Sequence, residues 1–301
     1  MNKDPFMSPS YKPNENTKNE IENLHANGKS LDDIHLKRAK MENANLVQAS
    51  MTNADLTRSN FSNASMYGVN LEGTNLFKTI FEGANLKSAN LQNCNLLGAD
   101  FSNAKLNNVQ WGDSYKVVNE KQAEEAHLKG DNQLAKEKYK EAEDIYRSLK
   151  ISLQTQTLGD DVSKFFEREM TCKRKQMPLL SPFRLISKIA HLTTGYGEKI
   201  GNIFYTIIGI IMTCACLFGF AGVSYQNHVL GFFGDIDYFG SMMNVIGNLI
   251  YFSVVVFSTV GFGDISPINL LGKSIVVFEG LIGSLILSIL IIAIYRKLMD
   301  R

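Results

Sequence analysis

Residues 258–264 have the composition best suited to binding a dehydrated cation. They read Ser-Thr-Val-Gly-Phe-Gly-Asp, with a glycine on each side of one aromatic residue. Because glycine adopts backbone conformations closed to most residues, successive carbonyl groups in this stretch can turn to one side. Rings of such oxygens can replace the water around a cation. The carbonyl groups in question belong to Thr259, Val260, Gly261 and Phe262.

The surrounding segments distinguish this stretch from a similar one at 194–198, which reads Thr-Gly-Tyr-Gly-Glu. An apolar segment at 242–257, long enough for a half-membrane helix, precedes residue 258. Apolar segments 203–225 and 270–295 lie on either side, and each has the roughly 20 residues that cross a bilayer. The residues before 194 are more polar and follow no earlier span. We therefore interpret 194–198 as a turn that leads into the first span.

The stretch Thr259–Asp264 resembles the signature of potassium channels, with Phe262 where the commonest form has tyrosine. This departure removes a hydroxyl group that otherwise ties the filter to its surroundings. The resemblance implies a selectivity filter at 258–264 in which the backbone carbonyl groups bind K⁺, and Gly263 and Asp264 complete the motif. It also implies that four chains assemble around one axis.

The second span carries the residues expected to act as hinge and gate. Gly283 lies 22 residues after Gly261, the spacing of the hinge glycine in potassium channels. Close helix packing explains a glycine at this position equally well. Three later residues of the same helix face are expected to line the cavity and its cytosolic gate: Leu287, Ile291 and Tyr295.

Glu279 is a carboxylate within an apolar span, which is costly and by default functional. Potassium channels often have an acid in the pore helix that supports the filter, but here that position is Val255. We expect Glu279 to take over this role, held by backbone NH groups of the filter or by the hydroxyl groups of Ser253 and Tyr251. The predicted filter supports are Ser258, Tyr251 and Glu279.

From Ile34 to Trp111 the chain repeats every five residues, with a large apolar residue at the centre of each unit and a small one two residues earlier. A period of five suits neither a lone α-helix nor a flat strand. The pattern resembles the pentapeptide repeats, which implies a right-handed quadrilateral β-helix capped by Trp111. Acidic and basic residues balance between Leu31 and Trp111, seven of each, so the acidic face needed to mimic DNA is missing.

The sequence predicts a multidomain membrane protein: a β-helix, an α-helical connector and an all-α two-span pore domain with a re-entrant helix. The connector partly resembles tetratricopeptide hairpins, with a break at Gly130-Asp131. A basic amphipathic segment before the first span indicates a helix on the membrane surface. The predicted parts are a disordered segment 1–20, the repeats 21–111, the connector 112–178, the surface helix 179–199 and the pore domain 200–301.

The charge pattern predicts orientation and limits the classes of function. Basic residues precede the first span and follow the second, which predicts a plasma-membrane protein with both termini in the cytosol. Neither span has regularly spaced arginines, so we expect no voltage sensor. The five histidines are scattered and the four cysteines show no framework spacing. We therefore expect no enzyme activity, no cofactor and no nucleic-acid partner.

The favoured function is a homotetrameric potassium channel in the lipid bilayer. Its soluble domains would regulate or localise it, with an unknown cytosolic ligand or protein as a further partner. Two alternatives remain open: a non-selective cation channel of the same fold, and a membrane-tethered scaffold in which the pore is secondary.

Overall fold

The structure, a computed structural model, describes residues 5–112, 114–156 and 159–299. The chain divides into two compact units, one that reaches Ser187 and one that spans Lys188–Met299. The first contains the repeats and a group of helices, and the second contains the apolar helices.

The repeats form a β-helix in which each coil comprises twenty residues. Parallel bridges join residues twenty apart, from His35↔Asp55 to Asn90↔Gln110. The large central side chains point inward and are buried, and Phe61, Phe81 and Phe101 stack with ring centroids 5.6 and 5.4 Å apart. Since every coil buries its core against its neighbours, the five-residue period in the sequence is sufficient to specify this solenoid.

Residues 5–20 are ordered, and the prediction of disorder was wrong for them; residues 1–4 lie outside the described residues. A short 3₁₀ turn, Pro5–Met7, precedes helix α1, Thr17–Ala26. Phe6 and Ile21 are buried, and the Phe6 carbonyl accepts a hydrogen bond of 2.7 Å from the His35 amide. The segment covers the exposed backbone edge of the first coil, a contact that its polar average composition does not reveal.

Asp32 links the first coil to the second. Its Oδ1 accepts hydrogen bonds of 2.7 Å from the Ser50 hydroxyl group and of 2.7 Å from the Thr52 amide. Burial raises the pKa of the Asp32 carboxyl, but bonds from Ser30, Ser50 and Thr52 outweigh it and lower the pKa to about 2. The ionised form is therefore the one that the folded solenoid stabilises.

Asp32→Ala is expected to lower the stability of the repeats at pH 7 by about 1 kcal/mol, a value reduced for solvent screening. Because the folded pKa lies below the unfolded value, this contribution is complete above about pH 4 and is lost as the pH falls towards 2. Urea unfolding followed by the fluorescence of Trp111, the single tryptophan, measures it. Glu82→Ala, at an exposed position, is the control that removes the same charge. A difference between the parent and Asp32→Ala that is as large at pH 2 as at pH 7 contradicts the prediction.

Three helices follow the repeats: α2, Val118–Leu128; α3, Asn132–Gln154; and α4, Gly159–Lys175. The Asp131 side chain caps α3 by accepting a hydrogen bond from the Leu134 amide at 3.0 Å. Phe165 of α4 packs edge-on against Trp111, with ring centroids 5.2 Å apart. The last coil of the solenoid is thus covered by α4 as well as by Trp111.

The second unit contains two helices that are long and apolar enough to cross a membrane. Helix α5, Pro182–Thr194, leads through a turn to α6, Ile200–Ala221; then come strand β1, Val223–Tyr225, and strand β2, His228–Leu230. The remaining elements, in order, are α7, Ile236–Phe239; α8, Met242–Phe257; β3, Ile265–Pro267; and α9, Leu270–Met299. In the sheet β1 lies between β2 and β3, antiparallel to both.

The first apolar helix ends earlier than the predicted span 203–225. Gly222, with a φ of 74°, terminates α6, and the next three residues are the central strand of the small sheet. A positive φ cannot continue an α-helix, and glycine adopts it readily. The prediction that the helix reaches Tyr225 was therefore wrong. In turn, the predicted segment 270–295 lies within the longer helix α9.

Candidate functional site

The backbone of residues 258–264 alternates in conformation. Positive φ recurs at every second residue, with 59° at Thr259, 59° at Gly261 and 79° at Gly263. An alternation of right- and left-handed residues turns successive peptide groups to one side, whereas in a β-strand they point to opposite sides. A β-branched residue such as Thr259 rarely has a positive φ, and such strain is concentrated at functional sites. The carbonyl groups of this loop can therefore line a path.

Helix α8 and strand β3 hold the two ends of the loop. The Ser258 hydroxyl donates to the Val254 carbonyl at 2.7 Å, and the Val260 amide donates to the Val255 carbonyl at 3.2 Å. At the other end Ile265 is buried and its strand pairs with β1. Because α8 ends at the loop, the partial negative charge of its C-terminus lies there and favours a cation.

Within a single chain the loop is exposed. The side chains of Val260 and Phe262 are 55% and 69% exposed, although both are apolar. Exposed large apolar residues next to each other mark a surface that another molecule covers. The loop is thus an incomplete site in one chain.

Glu279 of α9 is fully buried and joins three helices. Its Oε1 accepts a hydrogen bond from the Ser253 hydroxyl of α8, and the Cys214 thiol of α6 interacts with the same carboxyl group. Ser253 Oγ also lies 2.9 Å from the Ile211 carbonyl oxygen of α6. Glu279 therefore contacts the helix that precedes the loop.

Of the predicted donors to Glu279, Ser253 makes the contact and Tyr251 does not. Tyr251 interacts instead with Asp264 at the end of the loop. Cys214 was not among the sequence-based candidates, although its place in the middle of an apolar span was a usable signal. Tyr251 thus contacts the loop through Asp264, whereas Glu279 contacts Ser253 in α8, outside the loop. Ser258 is the first residue of the loop itself and bonds back to α8.

Gly283 lies against the last residue of α8. A Cβ atom at this position would lie 2.2 Å from the Phe257 carbonyl oxygen. Helix α9 continues through Gly283 without a break. The sequence left two explanations open for this glycine, a hinge and close helix packing. The close packing is observed in the structure. Further along α9, Leu287 is half-buried, whereas Ile291 and Tyr295 are exposed in the single chain.

An ion pair at the C-terminal end of α9 was missed in the sequence. Arg296 Nη1 lies 2.9 Å from Glu198 Oε1, across 98 positions of the chain. Glu198 belongs to the turn 194–198, whose other residues give no sign of a partner in α9. The pair ties the start of α6 to the last turns of α9.

The comparisons with protein families agree with this division of the chain. Residues 227–300 match the family described as ion channel, and residues 34–73 and 70–108 match pentapeptide repeats in eight copies. Both resemblances drawn from the sequence, to two-span ion channels and to pentapeptide repeats, are confirmed. The chain therefore combines a pentapeptide-repeat domain with an ion-channel domain in a membrane protein. Neither matched family is a family of enzymes.

Similar solved structures include two pentapeptide repeat proteins from cyanobacteria. The protein from Cyanothece 51142 is 28% identical, with a TM-score of 0.27; the match covers 27% of this chain and 56% of that one. The protein from Nostoc PCC 7120 is 25% identical, with a TM-score of 0.21 and coverage of 32% and 79%. The chain thus spans about half the length of the first. Among curated proteins there was no match.

Glu279→Val is expected to shorten the conducting state of the channel. In this variant the Ser253 hydroxyl can still donate to the Ile211 carbonyl. What the variant removes is the hydrogen bond between α8 and α9, and valine also fills less of the buried space than glutamate. Because the Ser253 hydroxyl is not left without an acceptor, the lost bond costs its net contribution of about 0.5–1.5 kcal/mol. Glu279→Gln retains a group that can bond Ser253, so it is expected to conduct with an altered open-state lifetime.

Single-channel recordings of both variants across external pH measure these lifetimes. Ser253→Ala removes the same link from the other side, so its effect and that of Glu279→Val should not be additive. Ser288→Ala, on an exposed position of α9, is the control. Gating of Glu279→Val like the parent's at every pH would exclude a role for this residue in supporting the loop.

Proposed function

We propose that four copies of the chain form a potassium-selective channel in the plasma membrane. The observation that carries the proposal is the loop 258–264, with a positive φ at every second residue, between an apolar half-membrane helix and a second span. Four such loops around an axis give rings of carbonyl oxygens that replace the hydration shell of K⁺. Asp264 adds negative charge at the outer mouth.

A tetramer also accounts for the exposed apolar side chains of the loop. Val260 and Phe262 would be covered by the neighbouring copies, with their carbonyl groups on the axis and their side chains away from it. The helix α8 is the pore helix in this arrangement, and its C-terminus faces the ion path. The stripe Leu287, Ile291 and Tyr295 then lines the inner cavity, and Ile291 and Tyr295 form the gate.

The soluble part regulates or localises the channel. Its repeats form a right-handed, four-sided solenoid, and α2–α4 connect it to α5, Pro182–Thr194, as the surface helix of the segment 179–199. Basic residues on the cytosolic side of both spans favour cytosolic termini. Without regularly spaced arginines in α6 or α9, opening does not respond to voltage.

The test is ion flux through the purified full chain in liposomes. We expect K⁺ to permeate far better than Na⁺, measured as the reversal potential with K⁺ on one side and Na⁺ on the other. A reversal potential near zero would identify a non-selective cation channel of the same fold. No flux from a correctly assembled tetramer would favour the membrane-tethered scaffold.

A further inference from the structure

One corner of the β-helix departs from the residues that the fold prefers. Each five-residue unit has one left-handed residue, and ten of these sixteen positions hold asparagine or glycine, the residues that tolerate a positive φ best. Along a single corner, three successive coils instead have long cations with φ of 61°, 58° and 55°. These residues are Arg38, Arg58 and Lys78.

This arrangement costs stability. Residues twenty apart lie in neighbouring coils, about 4.8 Å from each other across the ladder, and like charges at that distance repel. Within the described residues, neither Arg38 nor Arg58 has a hydrogen bond or ion pair through its side chain. Lys78 Nζ lies over the Phe77 ring, 5.3 Å from its centroid. Two arginines without such partners, at positions that favour asparagine, indicate a requirement other than folding.

The same corner opens into a cavity of about 620 Å³. Lys12 and Lys37 add two more cations to Arg38 and Arg58, and Asp55, paired with Lys37 at 3.1 Å, is the one acid. The cavity therefore has a surplus of positive charge, although the repeats as a whole are neutral. Its volume is within the range of small-molecule sites.

Two aromatic residues complete the lining. Tyr11, from the N-terminal segment, and Phe77, from the third coil, both face the cavity, and both are half-buried. Aromatic rings stack on nucleobases, and guanidinium groups bind phosphate through paired hydrogen bonds. Thr57 and Asn75 supply polar groups for the edge of a base. A lipid headgroup or an inorganic anion would interact with the cationic side chains but would not need the two aromatic rings.

We propose that this corner of the solenoid is a binding site for a nucleotide, with its base on Tyr11 and Phe77 and its phosphates on Lys12, Arg38 and Arg58. The site is formed by the repeats and the N-terminal segment, and it does not depend on the proposed channel function. It gives the soluble part of the chain a ligand of defined chemistry.

Isothermal titration calorimetry of the purified full chain in detergent tests the site, with ATP, GTP, CTP and UTP as separate probes. Arg38→Asn combined with Arg58→Asn should weaken binding at least tenfold. Asparagine already occupies the equivalent positions at other corners, such as Asn43 and Asn63, so the fold is retained. The control is Lys87→Asn combined with Lys105→Asn, which removes the same charge away from the cavity and should change the Kd less than twofold.

The variant Phe77→Leu tests whether the nucleobase stacks on the ring of Phe77. Leucine occupies the equivalent position one coil later, at Leu97, so the variant matches the fold. It should weaken nucleotide binding several-fold and leave the binding of inorganic triphosphate unchanged. Triphosphate binding as tight as that of nucleotides would reduce the site to an anion site and overturn the proposal. Absence of binding by all four nucleotides, or tighter binding of a single-stranded oligonucleotide, would overturn it as well.

Discussion

Replacing Gly261 with alanine is expected to abolish selective potassium flux. Gly261 has a φ of 59°, and no heavy atom lies within 4 Å of the position that a Cβ would take. The effect therefore comes from the backbone conformation and not from a clash within the chain. A left-handed conformation costs a residue with a Cβ about 1–2 kcal/mol. In the proposed tetramer, each of the four copies incurs this cost. If the residue relaxes to a negative φ, its peptide group rotates and a carbonyl oxygen leaves the ring.

The measurement is flux of K⁺ into liposomes that contain the variant, with assembly checked by size exclusion. Gly247→Ala is the matched control, because it adds one methyl group to α8 where the space is open and φ is not positive. It should conduct like the parent. Unchanged potassium flux through Gly261→Ala would mean that the ion path lies elsewhere in the chain.

The sequence was sufficient where a strict period or a local conformational requirement determines the structure. The five-residue repeat fixes which side chains point inward, because each inward residue is buried by the coils on either side of it. The glycines at 261 and 263 likewise indicate left-handed backbone in the loop. Thr259 gives no such sign, since its residue type disfavours the conformation that it adopts.

The sequence was insufficient where the structure depends on contacts between distant segments. The N-terminal segment has a polar composition, yet two of its aromatic residues, Phe6 and Tyr11, pack together with ring centroids 4.8 Å apart. The end of α6 at Gly222 depends on a sheet whose third strand lies some forty residues later. The ion pair of Glu198 with Arg296 and the contact of Glu279 with Cys214 have the same origin. None of these pairs has a spacing that a local pattern could reveal.

Gly283→Ala is expected to lower the thermal stability of the channel and its ion flux. An added Cβ would lie 2.2 Å from the carbonyl oxygen and 3.0 Å from the carbonyl carbon of Phe257. These are backbone atoms at the end of α8, which cannot rotate away as a side chain can. Either α9 or the end of α8 must move, and the loop begins at the next residue, Ser258. Overpacking of this kind costs about 1–3 kcal/mol, here in every copy.

Gly280→Ala is the matched control for this variant. It lies on the same helix three residues earlier, and its Cβ would be 3.9 Å from the Val256 carbonyl oxygen, an ordinary contact. We expect the control to keep the thermal stability and flux of the parent, and Gly283→Ala to lower both. This experiment distinguishes the two explanations of Gly283, because a hinge alters open probability while leaving the stability of the proposed tetramer unchanged. A Gly283→Ala tetramer that is as stable as the parent but opens less often would therefore contradict the packing role and support the hinge.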